Sequence, residues 1–429
     1  MRIYSILDFG AKTNGELTTK EIQNAIDACF LSGGGEVIIP AGKYVISSIR
    51  IRSNVTLHLL ENAELIGSIN PEDYFCYLED KVEPITEDLK GVVESSISTS
   101  KDVIPTSRWN NAIIRAFHAE NFKIIGEKGS IIDGQNCFDE IGEENYRGPH
   151  TFNLWFCDNF ELNGYTVKDS GNWAHAIQNS SNIIVNNITI LGGHDGFDIR
   201  TCDNVTISDS EFYTGDDCIA GFDNINVKIS NCIFNSSCSV LRFGGADILV
   251  ENCKSFSPAK YGHRYGLSEE KRRARAETDE NCRYNCLNSF LYYCDNRAKI
   301  RKTPGNIIIK NCEFNGNDAI LSLPFGHVWC CNRSLNDITF DNCSFLNIKE
   351  TSIISAPENE PLTLTLKNCK ITALKSYENI DMINATNCKK IQFEHVSIEG
   401  FDKPQITCKT KCEVVINNGT PVNVIEDFN

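Results

Sequence analysis

Four stretches in the middle of the chain repeat one pattern, and this pattern decides the fold. They read NIIVNNITI at 182–190, NVTISDSEF at 204–212, NVKISNCIF at 226–234 and DILVENCKS at 247–255. Their first residues are spaced by 22, 22 and 21 positions. Each copy alternates apolar and polar residues, which predicts a short β-strand. A fixed period with a strand in every copy predicts coils of chain that stack on one another.

The pattern extends beyond these four copies, to NIIIKNCEF at 306–314, DITFDNCSF at 337–345 and a looser copy at 363–370. Two columns of residues recur within it. The fifth residue after each start is an amide or a carboxylate, namely Asn187, Asp209, Asn231, Asn252, Asn311, Asn342 and Asn368. The next residue is often a thiol, as in Cys232, Cys253, Cys312, Cys343 and Cys369. We expect the amides to hydrogen-bond from coil to coil and the thiols to fill the corner beside them.

The period alone also suits leucine-rich repeats, but those need a Leu skeleton and a helix in each repeat, and neither is present. The sequence therefore predicts an all-β parallel β-helix with about three short strands per coil. An amphipathic segment at 18–29, capped by Thr18 or Thr19, predicts a helix that covers the open end of the coils. We expect one domain over 1–429, with the cap and first coil in 1–50.

One segment interrupts the repeat, from 254 to 305. Its centre, LSEEKRRARAE at 267–277, has Ser268 as a cap, acidic residues first and basic residues after them, which predicts a helix. Two interpretations stay open for this helix: a solvated surface element, or a lid over the face of the coils.

The composition of the chain disfavours several classes of function. Lys and Arg number 41 against 57 Asp and Glu, so the net charge of −16 disfavours nucleic-acid binding. No apolar stretch is long enough to span a membrane, and the N-terminus has no export signal, so a cytoplasmic location is expected. The 20 cysteines are interpreted as reduced structural thiols. Zinc at Cys282/Cys286/Cys294, Cys330/Cys331 or Cys408/Cys412 is the alternative, although the spacings are poor.

Acidic residues cluster in two successive coils, in GHDGFDI at 193–199 and TGDDCIAG at 214–221. Asp217 follows Asp195 by 22 residues, so the two should lie about 4.8 Å apart on neighbouring coils. Asp216 and Asp198 add two more carboxylates. Because like charges repel at this distance, the pKa of at least one of these carboxyl groups should be raised. A carboxylic acid with a raised pKa beside an ionised carboxylate is the pair of groups that a glycosidase uses. A single Asp here would be a turn cap, but a stacked group predicts a catalytic site.

Several short motifs carry a likeness to a known family. They are DFGAK at 8–12, GGGEVIIPAGKY at 33–44, SNVTLHL at 53–59, IDGQ at 132–135, SGNWAHAI at 170–177, DGFDI at 195–199 and GDDCIAG at 215–221. Together they resemble family 28 of the glycoside hydrolases, the polygalacturonase family. The resemblance implies a right-handed parallel β-helix, a pectin-lyase-like solenoid, and an inverting hydrolase of carbohydrate metabolism that acts on pectin.

The resemblance also implies roles for three residues. The family's Asn-Thr-Asp motif falls on 193–195, where only Asp195 matches, and its Asp-Asp pair falls on Asp216 and Asp217. By this likeness Asp216 is the general acid, and Asp195 with Asp217 holds and deprotonates the attacking water. No metal or cofactor is implied.

Two family elements are missing here. The family's Gly-His-Gly motif would fall near Cys238-Ser239-Val240, and His194, His175 or His263 is the proposed substitute. The family's Arg-x-Lys element has no clear match, so we predict other contacts to an acidic substrate. Asp198 and Arg242 fall on one line of coils and are expected to form an ion pair or to contact the ligand. The remaining candidates are Trp173, which could stack on a sugar or be buried in the core, and the cations Arg264, Arg283, Arg297, Arg301 and Lys302.

The sequence therefore predicts an exo-acting hydrolase of an acidic plant oligosaccharide, of uronic-acid or rhamnogalacturonan type. A β-helix polysaccharide lyase or uronate epimerase is one alternative, and an inactive carbohydrate-binding β-helix is another. The sequence leaves the sugar, the linkage and the oligomeric state open.

Overall fold

The computed structural model describes residues 2–75, 108–139, 147–263, 270–271, 274, 280–294, 301–325, 335–359 and 362–428. The chain forms two compact units. The first comprises residues 1–214 and 261–282, and the second comprises residues 215–260 and 283–429. The single domain expected over 1–429 stays a prediction.

The first unit consists of three rows of parallel strands, and each turn of the chain adds one strand to each row. The first row contains β4 (Ile49–Arg50), β7 (Ala112–Phe117), β10 (His150–Trp155), β13 (His175–Gln178) and β16 (Phe197–Arg200). The second contains β1 (Ile3–Ser5), β2 (Gly35–Ile39), β5 (Val55–Leu59), β8 (Glu120–Gly126), β11 (Asp158–Asn163), β14 (Ser181–Asn186) and β17 (Asp203–Ser208). The third contains β3 (Gly42–Ile46), β6 (Ala63–Gly67), β9 (Ile131–Asp133), β12 (Thr166–Lys168), β15 (Thr189–Gly192) and β18 (Glu211–Thr214).

The second unit repeats this plan, except that β19 (Ile219–Ser230) and β21 (Ser239–Glu251) each run through the first and second rows. The first row continues with β23 (Asn288–Tyr292), β26 (Ala319–Pro324), β29 (Ser352–Ser355), β32 (Ile383–Thr386), β35 (Gln405–Cys408) and β37 (Asn423–Glu426). The second has β24 (Gly305–Lys310), β27 (Asp337–Asp341), β30 (Leu362–Lys367), β33 (Cys388–Glu394) and β36 (Glu413–Asn417). The third has β20 (Ile233–Ser236), β22 (Lys254–Phe256), β25 (Glu313–Asn315), β28 (Ser344–Ile348), β31 (Lys370–Ala373) and β34 (Ser397–Glu399).

The strand register confirms the period predicted from the sequence. Ile183 pairs with Val205, 22 residues later, and Val227 pairs with Ile248, 21 residues later. All four side chains are buried. Because every second residue of a strand faces inward, the apolar positions of successive copies stack into the core of each unit. Each fully buried aliphatic side chain contributes about 1.5–3 kcal/mol to that core.

Asn recurs at this position of successive coils for a conformational reason, in addition to the predicted ladder of hydrogen bonds. Asn252, Asn311 and Asn342 all have positive φ, of 56°, 55° and 54°. Asn tolerates this left-handed conformation better than most residues, because its short side chain bonds locally. The ladder also forms, since Asn311 donates to Asn252 at 3.3 Å and Asn342 donates to Asn311 at 2.8 Å.

The cysteines of the neighbouring column lie where they were predicted. Cys232, Cys253, Cys312, Cys343 and Cys369 are buried thiols. The Cys253 and Cys312 sulfurs accept hydrogen bonds from the backbone N–H of Cys232 and Cys253, each at 3.4 Å. A small polarizable side chain thus fills the corner and meets a backbone donor there.

The predicted helix is α1 (Thr19–Leu31), and it buries Ile22, Ala25, Ile26 and Cys29 against the first strands of its unit. Thr18 is the N-cap residue, as predicted, but its side chain makes no capping hydrogen bond, since its hydroxyl accepts from the backbone N–H of Lys12 at 3.2 Å. Short 3₁₀-helices lie at Ile6–Phe9, Pro71–Asp73 and Arg108–Asn110.

The predicted interruption at 254–305 contains two strands of the rows, β22 and β23. Most of the predicted helix at 267–277, including Ser268, lies outside the described residues. Ala274 donates its N–H to the carbonyl of Glu270 at 2.9 Å, which is one helical turn. Within the described part of the chain, no helix is long and apolar enough to cross a membrane.

Candidate active site

The predicted catalytic carboxylates occupy the same kind of turn in each unit, between a third-row strand and the next first-row strand. In the first unit Asp195 lies between β15 and β16. In the second unit Asp216 and Asp217 lie before β19, at its N-terminal end. A turn that follows a regular strand presents its side chains at a fixed position, which suits a catalytic group.

Asp217 is a buried carboxylate that is held by two partners. Its side chain is 3% exposed, and its Oδ2 lies 2.5 Å from Nε of Arg242. Its Oδ1 accepts the backbone N–H of Ser239 at 3.0 Å. Asp216 is half-buried, and its Oδ1 accepts the backbone N–H of Asp217 at 3.1 Å. Two adjacent carboxylates therefore have different surroundings, one enclosed and one partly open.

The pKa of Asp217 lies above its usual value, chiefly because burial penalises the charged form. The charge of Arg242 acts in the opposite direction, and Asp216 adds to the upward shift. Hydrogen bonds from Arg242 and from the Cys238 thiol favour the ionised form. The net result is a carboxylate that accepts a proton more readily than an exposed Asp does.

The turn that follows β20 supports this pair. Ser236 Oγ donates to the carbonyl of Asp216 at 2.7 Å, and Ser237 Oγ donates to the carbonyl of Gly215 at 2.6 Å. The pKa of Cys238 is raised by burial first and by the charges of Asp217 and Asp216 next, so the thiol stays protonated. Cys238 is the first residue of the segment Cys238-Ser239-Val240, near which the family likeness places the Gly-His-Gly motif.

Arg242 is held on two sides. Asp217 binds its Nε, and its guanidinium carbon lies 4.5 Å from the centroid of the Tyr293 ring. The side chain is 13% exposed. An aromatic face beneath a guanidinium fixes its plane and adds a cation–π contribution of about 0.5–2 kcal/mol. Arg242 thus orients Asp217, and the predicted ion pair or ligand contact with Asp198 stays a prediction.

In the first unit Asp198 forms a two-point ion pair with Arg200. Nε of Arg200 lies 2.5 Å from Oδ1 of Asp198, and Nη2 lies 3.0 Å from Oδ2. The guanidinium carbon of Arg200 lies 4.7 Å from the ring centroid of Trp173. Trp173 is 6% exposed and meets Trp109 edge-on at 5.8 Å. Trp173 therefore packs in the interior, which was the alternative to sugar stacking.

The candidate histidines differ in their surroundings. His175 is fully buried between the rings of Phe152 and Phe197, with centroids at 4.5 and 4.2 Å. Burial lowers its pKa to about 3, so it is neutral, and its placement does not fit the predicted contact with a substrate. His194, in the turn with Asp195, and His263 are half-buried.

The predicted cations of the insertion have partners of their own. Arg301 Nε lies 3.0 Å from Oδ2 of Asp223, and its Nη2 donates to the Asp223 carbonyl at 2.6 Å. Lys302 pairs with Asp247 at the surface. Arg283 donates from Nε to the carbonyl of Ser237 at 3.1 Å. Arg264 and Arg297 lie outside the described residues.

One residue of these sites, Arg200, was not predicted from the sequence. Arg200 lies two positions after Asp198 on one strand, and side chains two apart share a face, so this ion pair could have been predicted. Cys238 was named only as part of the segment 238–240, and the sequence offered no reason to assign its thiol a contact with Asp217.

The fold and the carboxylate turns resemble those of the parallel β-helix glycoside hydrolases. Residues 82–240 match the family "Glycosyl hydrolases family 28", and this range contains Asp195, Asp216 and Asp217. The match confirms the predicted family resemblance and the enzyme class.

Curated relatives and a solved structure agree with the match. A probable polygalacturonase of Vitis vinifera is 27% identical over 50% of this chain and 43% of its own length. An exo-poly-alpha-D-galacturonosidase of Dickeya chrysanthemi is 22% identical over 86% of this chain and 71% of its own length. The family 28 exopolygalacturonase of Yersinia enterocolitica superposes with a TM-score of 0.66 at 18% identity, over 98% of this chain and 79% of that one. This last likeness confirms the right-handed parallel β-helix.

Proposed function

We propose that the protein is an inverting exo-hydrolase of an acidic plant oligosaccharide, with uronic-acid or rhamnogalacturonan-type units. The observation that carries this proposal is the pair Asp216–Asp217, two adjacent carboxylates with unequal environments. Carboxylates whose surroundings separate their pKa values divide the roles of acid and base between them. Relatives described as a probable polygalacturonase and an exo-poly-alpha-D-galacturonosidase support the substrate class and the attack from a chain end.

Asp216 is the general acid in this proposal. It is half-buried, so its carboxyl can reach a glycosidic oxygen, and the backbone N–H of Asp217 fixes one of its oxygens. Protonation of the leaving oxygen is needed because an alkoxide is a poor leaving group.

Asp217 is the general base that takes a proton from the attacking water. Its contact with Arg242 favours the carboxylate, while burial raises its pKa and makes it a stronger base. Asp195 would share this role. Its assignment rests on the family likeness and on the 22-residue spacing from Asp217 in the sequence.

Inversion follows from this division of roles. A base that activates water, instead of attacking the sugar itself, gives a single displacement at the anomeric carbon. The product then has the opposite anomeric configuration from the bond that was cleaved.

The test is a substrate panel with product analysis. Purified protein is incubated with oligogalacturonides, rhamnogalacturonan oligosaccharides and neutral plant oligosaccharides, and the first products are identified by NMR and mass spectrometry. The proposal predicts a saturated monosaccharide or short product from acidic substrates. An unsaturated product would indicate a lyase, a changed uronate without cleavage would indicate an epimerase, and binding without turnover would indicate a lectin-like protein. A cytoplasmic location stays a prediction, which fractionation of the native cells would check.

A further inference from the structure

A histidine between two carboxylates lies on the outer face of the second row of strands in the first unit. Glu36 is in β2, His58 is in β5 and Glu127 follows β8, so the three residues come from successive coils. His58 Nδ1 lies 2.5 Å from Oε1 of Glu36, and its Nε2 lies 3.3 Å from Oε1 of Glu127. None of the three is among the proposed catalytic residues. Imidazole and carboxylate groups together are common ligands of transition-metal ions.

Both sides of the contact between His58 and Glu127 are oriented by other groups. An ionised carboxylate can only accept a hydrogen bond, so Glu36 accepts from Nδ1 of His58, which fixes the ring and directs Nε2 at Glu127. The other oxygen of Glu127, Oε2, accepts the backbone N–H of Glu61 at 2.9 Å. Metal-binding histidines and carboxylates have such outer partners, which hold them in the geometry of the site.

The distance between Nε2 of His58 and Oε1 of Glu127 distinguishes a metal ion from a proton. A hydrogen bond between a charged N–H and a carboxylate is about 2.7–2.9 Å long, whereas this contact is 3.3 Å. A tetrahedral zinc ion holds nitrogen and oxygen ligands at about 2.0–2.2 Å, which places two such ligand atoms about 3.4 Å apart. The separation of the two atoms therefore fits a shared metal ion better than a shared proton.

We propose that His58 and Glu127 bind one divalent transition-metal ion of the zinc type, with Glu36 as the partner that orients the imidazole. Water completes the coordination, because the side chain of Glu127 is 46% exposed. Mg²⁺ and Ca²⁺ suit the site less well, since both prefer oxygen ligands. The ion connects the coil of β5 to the coil of β8 and thereby stabilises the folded state. The site is independent of the proposed hydrolysis.

The experiment is isothermal titration of the chelator-treated full-length protein with Zn²⁺, and separately with Mg²⁺ and Ca²⁺. The chain has 20 Cys and 8 His, so other groups can also take up zinc, and the diagnostic result is a difference between variants. His58→Asn keeps an amide donor for Glu36 but removes Nε2. We expect one zinc-binding event fewer per chain in this variant than in the wild type, and weaker binding of Mg²⁺ and Ca²⁺ than of Zn²⁺. Zinc should also raise the melting temperature of the wild type more than that of His58→Asn.

Further variants test the role of each carboxylate. Glu36→Gln should weaken this zinc-binding event about 10–100-fold, which is the usual effect of changing an outer partner of a metal ligand. Glu127→Gln removes the charge of a ligand and should weaken it at least as much. The matched controls are Glu64→Gln, a carboxylate of the third row, and His395→Asn, an exposed histidine of the second unit. Both controls should retain the zinc-binding event that depends on His58.

Three results would overturn the proposal. They are an equal number of zinc-binding events in the wild type and His58→Asn, unchanged zinc affinity in both Glu36→Gln and Glu127→Gln, and binding of Mg²⁺ or Ca²⁺ as tight as that of Zn²⁺. An equal number of events would show that a proton, and not a metal ion, lies between His58 and Glu127.

Discussion

Arg242 holds Asp217 by an ion pair of 2.5 Å between Nε and Oδ2, while the ring of Tyr293 packs against the same guanidinium. A buried carboxylate without such a partner would be driven to its neutral form. The pair therefore keeps Asp217 available as a base inside a largely enclosed turn. The adjacent Asp216 is left with a more open environment, and this asymmetry is the physical basis of the proposed division of roles.

Replacing either member of the carboxylate pair should abolish hydrolysis while preserving the fold. Asp216→Asn and Asp217→Asn keep the side-chain volume but remove the acid or the base, and each should lower kcat about 100-fold or more. The measurement is turnover of an oligogalacturonide, with circular dichroism to check folding. Asp247→Asn is the matched control, since Asn occupies the equivalent position in several other coils, and it should turn over substrate as the wild type does. Wild-type turnover in Asp216→Asn would contradict its role as the acid.

Removing the charge of Arg242 should shift the pH profile. The Arg242 guanidinium lowers the pKa of Asp217, so its loss raises that pKa further. A base must be ionised to act, and the acidic limb of kcat/KM should therefore move to higher pH in Arg242→Gln. Arg242→Lys retains a positive charge and should move the limb less. If the acidic limb of the kcat/KM profile has the same pH midpoint in Arg242→Gln as in the wild type, Asp217 is not the group whose ionisation determines that limb.

His175 should affect the stability of the protein and not its chemistry. Its folded-state pKa is about 3 against an ordinary value of 6.5, so the unfolded chain binds a proton more readily. The stability that follows from this is complete above pH 6.5 and is lost as the pH falls toward 3. His175→Phe continues the ring stack and should flatten the decline in the free energy of unfolding between these limits. Loss of turnover at neutral pH in a folded His175→Phe would indicate a catalytic histidine.

The left-handed Asn column should be sensitive to side-chain type. Asn311→Val removes hydrogen bonds to Asn252 and Asn342 and forces a β-branched residue to a φ of 55°. We expect a loss of about 1–3 kcal/mol in the free energy of unfolding, measured in urea. Asn311→Gly loses the same side-chain bonds without the backbone strain, so it should lose less. Equal stability of the two variants would show that the backbone conformation carries no cost here.

Much of the fold could be predicted because the repeat places one kind of residue at one kind of position. The alternation within each copy gave the strands, and the Asn and Cys columns indicated the corners. Strand β23, at 288–292, escaped prediction because it belongs to the first row, whereas the copies recognised in the sequence form strands of the second row. The position of Thr18 as the N-cap of α1 could be predicted, but the sequence does not reveal that its hydroxyl accepts from Lys12 and makes no capping bond.

The candidate site could be predicted only in part. Spacing and family likeness indicated the carboxylates, since coil geometry converts residue number into position. The partners of the charged groups could not be predicted, because ion pairs depend on side-chain direction. Arg301 binds Asp223, 78 residues away, and no period in the sequence relates the two.

The most direct test of the account is the anomeric configuration of the first product, followed by ¹H NMR during hydrolysis of an α-linked oligogalacturonide. The account predicts that the β-anomer appears first in the wild type, before mutarotation, and that Asp216→Asn produces neither anomer at a comparable rate. Initial release of the α-anomer would contradict single displacement by an activated water. An unsaturated sugar as the first product would contradict hydrolysis itself.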